Sequence, residues 1–349
     1  MIFKILQAKI FSILGKLFCL FFIMVSHYSK LDASEEKFFH HYGEMLYNGL
    51  LAYTNFDFEQ ADSIFQQIEK SSAYYPIAGF FRMNNQYSRL KYDGKLQAAN
   101  RYILENSPQL LLRFDDYADK NPGPMCHLYA GVSHSLNSRI FMGQGQYLKA
   151  LHNGMKAIIA VNKAEKLSPG DPEICLAQGT YNYFGGVMAD HFSAVNLIYN
   201  SEEKRNLGLQ QLEKAWNEGH FARWEAGGLL LMLELYEQEN YPEAKKLGTV
   251  LTERFPGNPE FMAHYIEALI YLGALEEARR LLLDYPKIYA GRIAEPGVAV
   301  WEIRQRYLEA LHAMQSGNLD MAKGLFKNVM ENYNFEFRWH LAIILYKLS

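Results

Sequence analysis

A chain of 349 residues with 49% hydrophobic and 14% aromatic content can bury a sizeable core, which excludes general disorder. Its net charge of −3 and isoelectric point near 6.4 come from acids and bases that mostly stand side by side, as in Glu202-Glu203-Lys204-Arg205 and Glu276-Glu277-Ala278-Arg279-Arg280. Nothing in that pattern forms a Lys/Arg-rich stripe, so nucleic acid is not an expected partner.

In residues 1–33, Lys4, Lys9 and Lys16 precede an apolar run from Leu17 to Val25, and no acid comes before Asp32. A run that short cannot span a bilayer, so the segment reads as a secretory signal, with Ala33 offering a small residue for cleavage before Ser34. The alternative is an uncleaved inner-membrane anchor over residues 10–25, interrupted by Lys16, which would hold the chain close to a membrane. Cys19 lacks the small residues that precede a lipidated cysteine. Export would place Cys126 and Cys175 where disulfides persist; they are either a pair or two buried free thiols.

After residue 33 the apolar spacing is helical: Leu46, Leu50, Tyr53; then Leu229, Met232, Leu233, Tyr236; then Tyr307, Leu311, Met314. Asp171-Pro172-Glu173 and Asn258-Pro259-Glu260 mark helix starts, and so does Ser201. Gly219 marks a stop, and Gly185-Gly186 is expected to end the helix of Tyr181 and Tyr183. Roughly sixteen helices are expected between residues 34 and 348.

One motif recurs. An aromatic or Leu stands three residues before an Ala, just after a turn-forming patch: Phe58 to Ala61, Tyr147 to Ala150, Tyr241 to Ala244, Leu275 to Ala278 and Leu319 to Ala322. The breakers are Asn55, Gly143 to Gly145, Asn240, Gly273 and Gly317-Asn318. A repeated helical hairpin cannot bury its apolar face alone, so the pattern predicts an all-α solenoid of stacked hairpins. Ala244 and Ala278 are 34 residues apart. The wider step from Ala278 to Ala322 is expected to hold a connecting loop over Tyr285 to Gly297.

The unit from about Glu225 to Asn258, with Leu231, Leu235, Tyr241, Ala244, Leu251 and Pro256, resembles the tetratricopeptide repeat. It departs from that family at Gly228 and Met232, where a large aromatic and a Gly are usual. The resemblance implies a right-handed superhelix, with more degenerate repeats over 34–218 and clearer ones over 219–349. It also implies a ligand in the groove of the first helices, which here would be lined by Leu46, Leu50, Tyr53, Leu229, Leu233, Tyr236, Tyr307, Leu311 and Met314. An apolar lining of that kind suits an apolar peptide or amphipathic helix better than an acidic tail. The same stripe is also how core looks.

Tyr181, Asn182 and Tyr183 form a second candidate, an aromatic patch or a tightly packed helix end. His40, His41 and Glu44 share a helix face but lack a third ligand, so no metal is expected, and no cofactor. There is no phosphate loop, no Gly-x-Ser-x-Gly turn, no His-Glu-x-x-His and no Cys-x-x-Cys. The expected function is a non-enzymatic protein- or peptide-binding scaffold of the cell envelope, periplasmic or outer-membrane-associated in a Gram-negative cell. The alternative is a small-molecule or lipid-binding protein with an apolar cavity in residues 124–217.

Overall fold

The computed structural model describes residues 33–71, 76–121, 123–190 and 201–332, which hold fourteen α-helices and no strand. The expected export segment lies, apart from Ala33, outside the described residues. In chain order the helices are α1 (Ala33–Thr54), α2 (Phe58–Ser71), α3 (Ile77–Tyr92), α4 (Leu96–Lys120), α5 (Pro124–Gly143), α6 (Tyr147–Leu167) and α7 (Pro172–Asp190). They continue with α8 (Ser201–Glu218), α9 (Arg223–Tyr236), α10 (Tyr241–Arg254), α11 (Pro259–Tyr271), α12 (Leu275–Tyr289), α13 (Glu295–Gln315) and α14 (Leu319–Glu331). Among the described residues no helix is long and apolar enough to cross a membrane.

All five motif anchors are the first residues of helices, namely Phe58, Tyr147, Tyr241, Leu275 and Leu319. The five alanines that follow are buried. Each alanine N–H also donates the first bond of its helix, Ala244 to Asn240 O at 3.0 Å and Ala278 to Ala274 O at 3.0 Å among them. Burial of the anchors varies: Phe58 is buried, whereas Leu319 is 65% exposed. The small residue is therefore the constant of the motif, because two helices leaving one tight turn diverge from a point of close approach. A larger side chain there would overpack the junction, at a cost of roughly 1–3 kcal/mol.

The turns share one geometry. The residue two before each anchor has positive φ: Phe56, Gly145, Glu239, Gly273 and Gly317. At Gly273 the N–H donates to Ile270 O and the next N–H, of Ala274, reaches back to Leu269 O, the paired bonds of a Schellman ending. In two turns the left-handed residue is not the expected breaker. Phe56 rather than Asn55, and Glu239 rather than Asn240, takes that conformation, at roughly 1 kcal/mol each. The structure also adds a sixth copy: Gly94 with φ 74°, then Leu96 opening α4, then buried Ala99 donating to Lys95 O.

Two helix ends differ from expectation. α12 runs through Pro286 to Tyr289, so the connection expected over Tyr285 to Gly297 shrinks to residues 290–294. The extra length lies instead in α12 and in the 21-residue α13. Tyr285 and Tyr289 hold the last turn of α12, donating to Pro259 O at 3.2 Å and Gln305 Oε1 at 3.0 Å. Gly185-Gly186 does not end α7, which continues to Asp190. Gly186 instead admits the backbone of α8, since a Cβ there would fall 2.6 Å from Ser201 O.

The described residues fall into two compact units that interleave in sequence. One contains Ser107–Ala226 with Ser72–Phe80 and the stretch up to Glu44; the other contains Met45–Ser71, Phe81–Asn106 and the stretch from Gly227. In the first unit α5 packs on α6 and α7 on α8. In the second, α10 packs on α11, α11 on α12 and α13, and α13 on α14. The core of that second unit is aromatic and aliphatic, from Phe56 and Phe58 through Ile266, Leu269, Tyr285 and Trp301 to Phe326.

Candidate functional site

The stripe expected to line an open groove falls entirely in the second unit. Leu46, Leu233 and Leu311 are fully buried, and Leu50 and Tyr307 nearly so. A leucine with no accessible surface has nothing to offer a peptide, so these five are core rather than groove. For Tyr307 and Leu311 the cover is visible: α11 and α13, both first helices of their hairpins, pack directly on each other, with Ile266, Leu269 and Ile270 in the same core. Tyr53, Leu229, Tyr236 and Met314 keep part of their surface.

Beside the buried leucines lies a polar cluster drawn from three consecutive first helices. Glu267 of α11 accepts from Tyr236 Oη of α9 at 2.7 Å and from Tyr307 Oη of α13 at 2.8 Å. Arg304 of α13 pairs with the same carboxylate at 3.5 Å and donates to Tyr236 Oη at 3.1 Å. Its guanidinium carbon lies 5.4 Å from the Tyr307 ring centroid. Burial and the Glu267 charge push both phenols well up, so they stay protonated and donate. Burial alone would lower Arg304, but Tyr236, Glu267 and Tyr307 hold it above its ordinary value. His264 stands edge-on to the Tyr236 ring at 5.8 Å, and burial, with Arg304 beside it, pushes its pKa down to about 3.

Both Glu267 oxygens are occupied from within, so the cluster ties helices together instead of presenting charge to a ligand. Removing two charges from water is costly, and here the cost is offset by hydrogen bonds and an ion pair that join α9, α11 and α13. The sequence stripe contains Tyr236 and Tyr307 but misses Glu267 and Arg304. The available signal was Glu267 itself, an acid alone within the apolar run Tyr265 to Ile270.

In the first unit, Tyr181 Oη bonds Ser135 Oγ of α5, and Asn182 donates to Gln211 Oε1 of α8 at 2.7 Å. Tyr183 is buried. A Cβ at Gly208 would lie 2.5 Å from the Tyr183 backbone N and 2.8 Å from Gly179 O, so α7 and α8 meet backbone to backbone. Tyr183 thus lies in a close α7–α8 seam, whereas Tyr181 and Asn182 keep part of their surface.

Two carboxylates in this unit cap helices other than their own. Glu35 of α1 accepts from the N–H groups of Met125 and Cys126 at 3.2 and 2.8 Å, in the first turn of α5. Glu173 of α7 accepts from His220, Phe221 and Ala222 at 2.5, 3.1 and 2.7 Å, just ahead of α9. An anion at a helix N-terminus satisfies orphan donors and the local dipole. Cys126 and Cys175 are free and buried, and burial pushes both thiols up. Among the described residues no three His, Cys, Asp or Glu side chains gather to hold a metal ion, and His40, His41 and Glu44 are exposed.

Comparison with curated proteins returned no match. A family model described as tetratricopeptide repeat matches residues 235–295, which include the whole of α10, α11 and α12. The same anchor, buried alanine and left-handed turn recur outside that stretch, at Phe58, Leu96, Tyr147 and Leu319. The chain thus carries tetratricopeptide repeat over residues 235–295, within a fold that is helical throughout the described residues.

Proposed function

We propose that the chain is a non-enzymatic scaffold of the cell envelope that recognises a protein or peptide through the first helices of its hairpins. The match at residues 235–295 carries this reading, since tetratricopeptide repeats generally mediate protein–protein interaction. The partner surface consists of what the core leaves uncovered on those helices, chiefly Leu229 of α9 and Met314 of α13. Cross-tied helices suit such a role, because a preformed surface loses little entropy on binding. The envelope location rests on Lys4, Lys9 and Lys16 ahead of the apolar run Leu17 to Val25.

The test is partner recovery by the full chain against Leu229→Glu and Met314→Glu. A loss of tenfold or more with unchanged helicity is expected from charge placed in an apolar contact, about 1.4 kcal/mol or above. Equal recovery from both variants would remove the first-helix surface as the binding site. Leu233→Ala is unsuitable, because it would test the core.

A further inference from the structure

α6 departs from the even mixing of charge seen along most of the chain. α6 carries Lys149, Lys156, Lys163 and Lys166 against the single acid Glu165. Its inner face is small and apolar, with Ala150, Ala157, Val161 and Ala164 buried. Val161 and Ala157 press on Gly131 of α5 so closely that a Cβ there would lie 2.8 Å from Val161 Cγ2. The outer face carries Lys149, His152, Lys156, Ile159 and Lys163, all exposed and spaced three or four residues apart, so they form one stripe. Lys149, Lys156 and Lys163 make no ion pair among the described residues; Lys149 instead lies over the Phe141 ring at 5.4 Å.

At the N-terminal end of this stripe the α5–α6 turn is exposed throughout, from Met142 to Lys149. It holds no charge between Met142 and Leu148, and Leu148 is 81% exposed. Ile159, also exposed, lies within the lysine stripe about three turns further on. Asp115 of α4 acts on His127 and His134 of α5, and Lys163 and Lys156 of α6 act on the same two histidines with opposite sign.

We infer that the outer face of α6, with the Met142–Leu148 turn, docks on an anionic lipid surface. An uncharged apolar tip followed at once by lysines on one helix face is the arrangement of an interfacial element: Met142, Tyr147 and Leu148 enter the headgroup boundary and the ammonium groups stay among the phosphates. A juxtamembrane lysine adds to binding in proportion to the anionic lipid present. An acidic protein segment would meet the same charges, but a single helix flank has no walls to enclose an extended peptide, and a bilayer interface needs none. This contact is separate from any membrane proximity supplied by residues 1–33.

The experiment is partition of the full chain onto vesicles of phosphatidylcholine with about a third phosphatidylserine, and onto phosphatidylcholine alone. Residues 1–33 are the same in every protein tested, so binding through Lys4, Lys9 and Lys16 cancels in the comparison. Lys149→Glu/Lys156→Glu/Lys163→Glu is expected to lower partition onto the anionic vesicles about tenfold or more, with little change on the neutral ones. Lys149→Gln/Lys156→Gln/Lys163→Gln should shift it in the same direction by less, and serves if the reversed variant fails to fold. Leu148→Ser/Ile159→Ser should lower it on both kinds of vesicle. Equal loss from Lys245→Glu/Lys246→Glu/Lys287→Glu, or partition unaffected by the α6 variants, would overturn the inference. Retained vesicle binding with lost binding of a poly-glutamate peptide would also overturn it, in favour of an acidic protein partner.

Discussion

The helix pair α7–α8 and the helix set α9–α11–α13 solve the same packing problem with different residues. In α7–α8, Gly179, Gly186 and Gly208 remove side chains so that backbones touch. In α9–α11–α13, leucines fill the contact and Glu267, Arg304, Tyr236 and Tyr307 cross-tie it. The first solution tolerates no added volume and the second no removed charge. Substitutions chosen by that rule should damage each region through its own mechanism.

The largest effect is expected at the cross-tie. Glu267→Ala leaves Arg304 buried without its carboxylate, and chemical denaturation should show a loss of about 3–5 kcal/mol. Glu267→Leu with Arg304→Met should lose clearly less than the single change, because no charge remains buried. A double variant as unstable as the single one would show that volume rather than charge sets the cost.

The α7–α8 seam should answer to volume. Gly208→Ala puts a methyl group against the backbones of Tyr183 and Gly179, and a loss of roughly 1–3 kcal/mol is expected. Gly273→Ala has open space around its Cβ and pays only for the left-handed backbone, about 1 kcal/mol. If Gly273→Ala proved the worse of the two, close approach would not be what the α7–α8 glycines are for.

Acid should separate the two regions as well. His264 takes a proton less readily folded than unfolded, so the unfolded chain binds more protons between about pH 6.5 and 3. Stability is therefore lost as pH falls through that window, and His264→Phe should flatten the slope. Glu173 has the opposite sign. Burial raises its pKa above the ordinary value despite three N–H donors, so its ionised form opposes folding and the penalty is relieved as pH falls. A His264→Phe chain with an unchanged acid slope would place the titrating group elsewhere.

The sequence announces the hairpins because the turn is local: anchor, small residue and left-handed residue lie within six positions. The Leu96 to Ala99 copy, after the turn at Gly94, has the same Leu and Ala spacing as the copies at Leu275 and Leu319 and was equally legible. The fate of the apolar stripe was not local. Periodicity shows that Leu46, Leu233 and Leu311 share a face with their neighbours, but not whether another helix covers it. Glu267 and Arg304 sit on different helices, so no spacing rule joins them. Gly185-Gly186 misleads in the same way, since a glycine stop and a glycine seam look alike until the neighbouring helix is placed.

The division between a buried stripe and an uncovered remainder on the first helices can be tested by site-specific photo-crosslinking in cells. The crosslinking residue replaces Leu229 or Met314 on first helices, or Leu283, which is 66% exposed on the second helix α12. Protein adducts concentrated at positions 229 and 314, and weak at 283, are the predicted result. Adducts concentrated at 283, or at none of the three, would contradict a partner surface on the first helices.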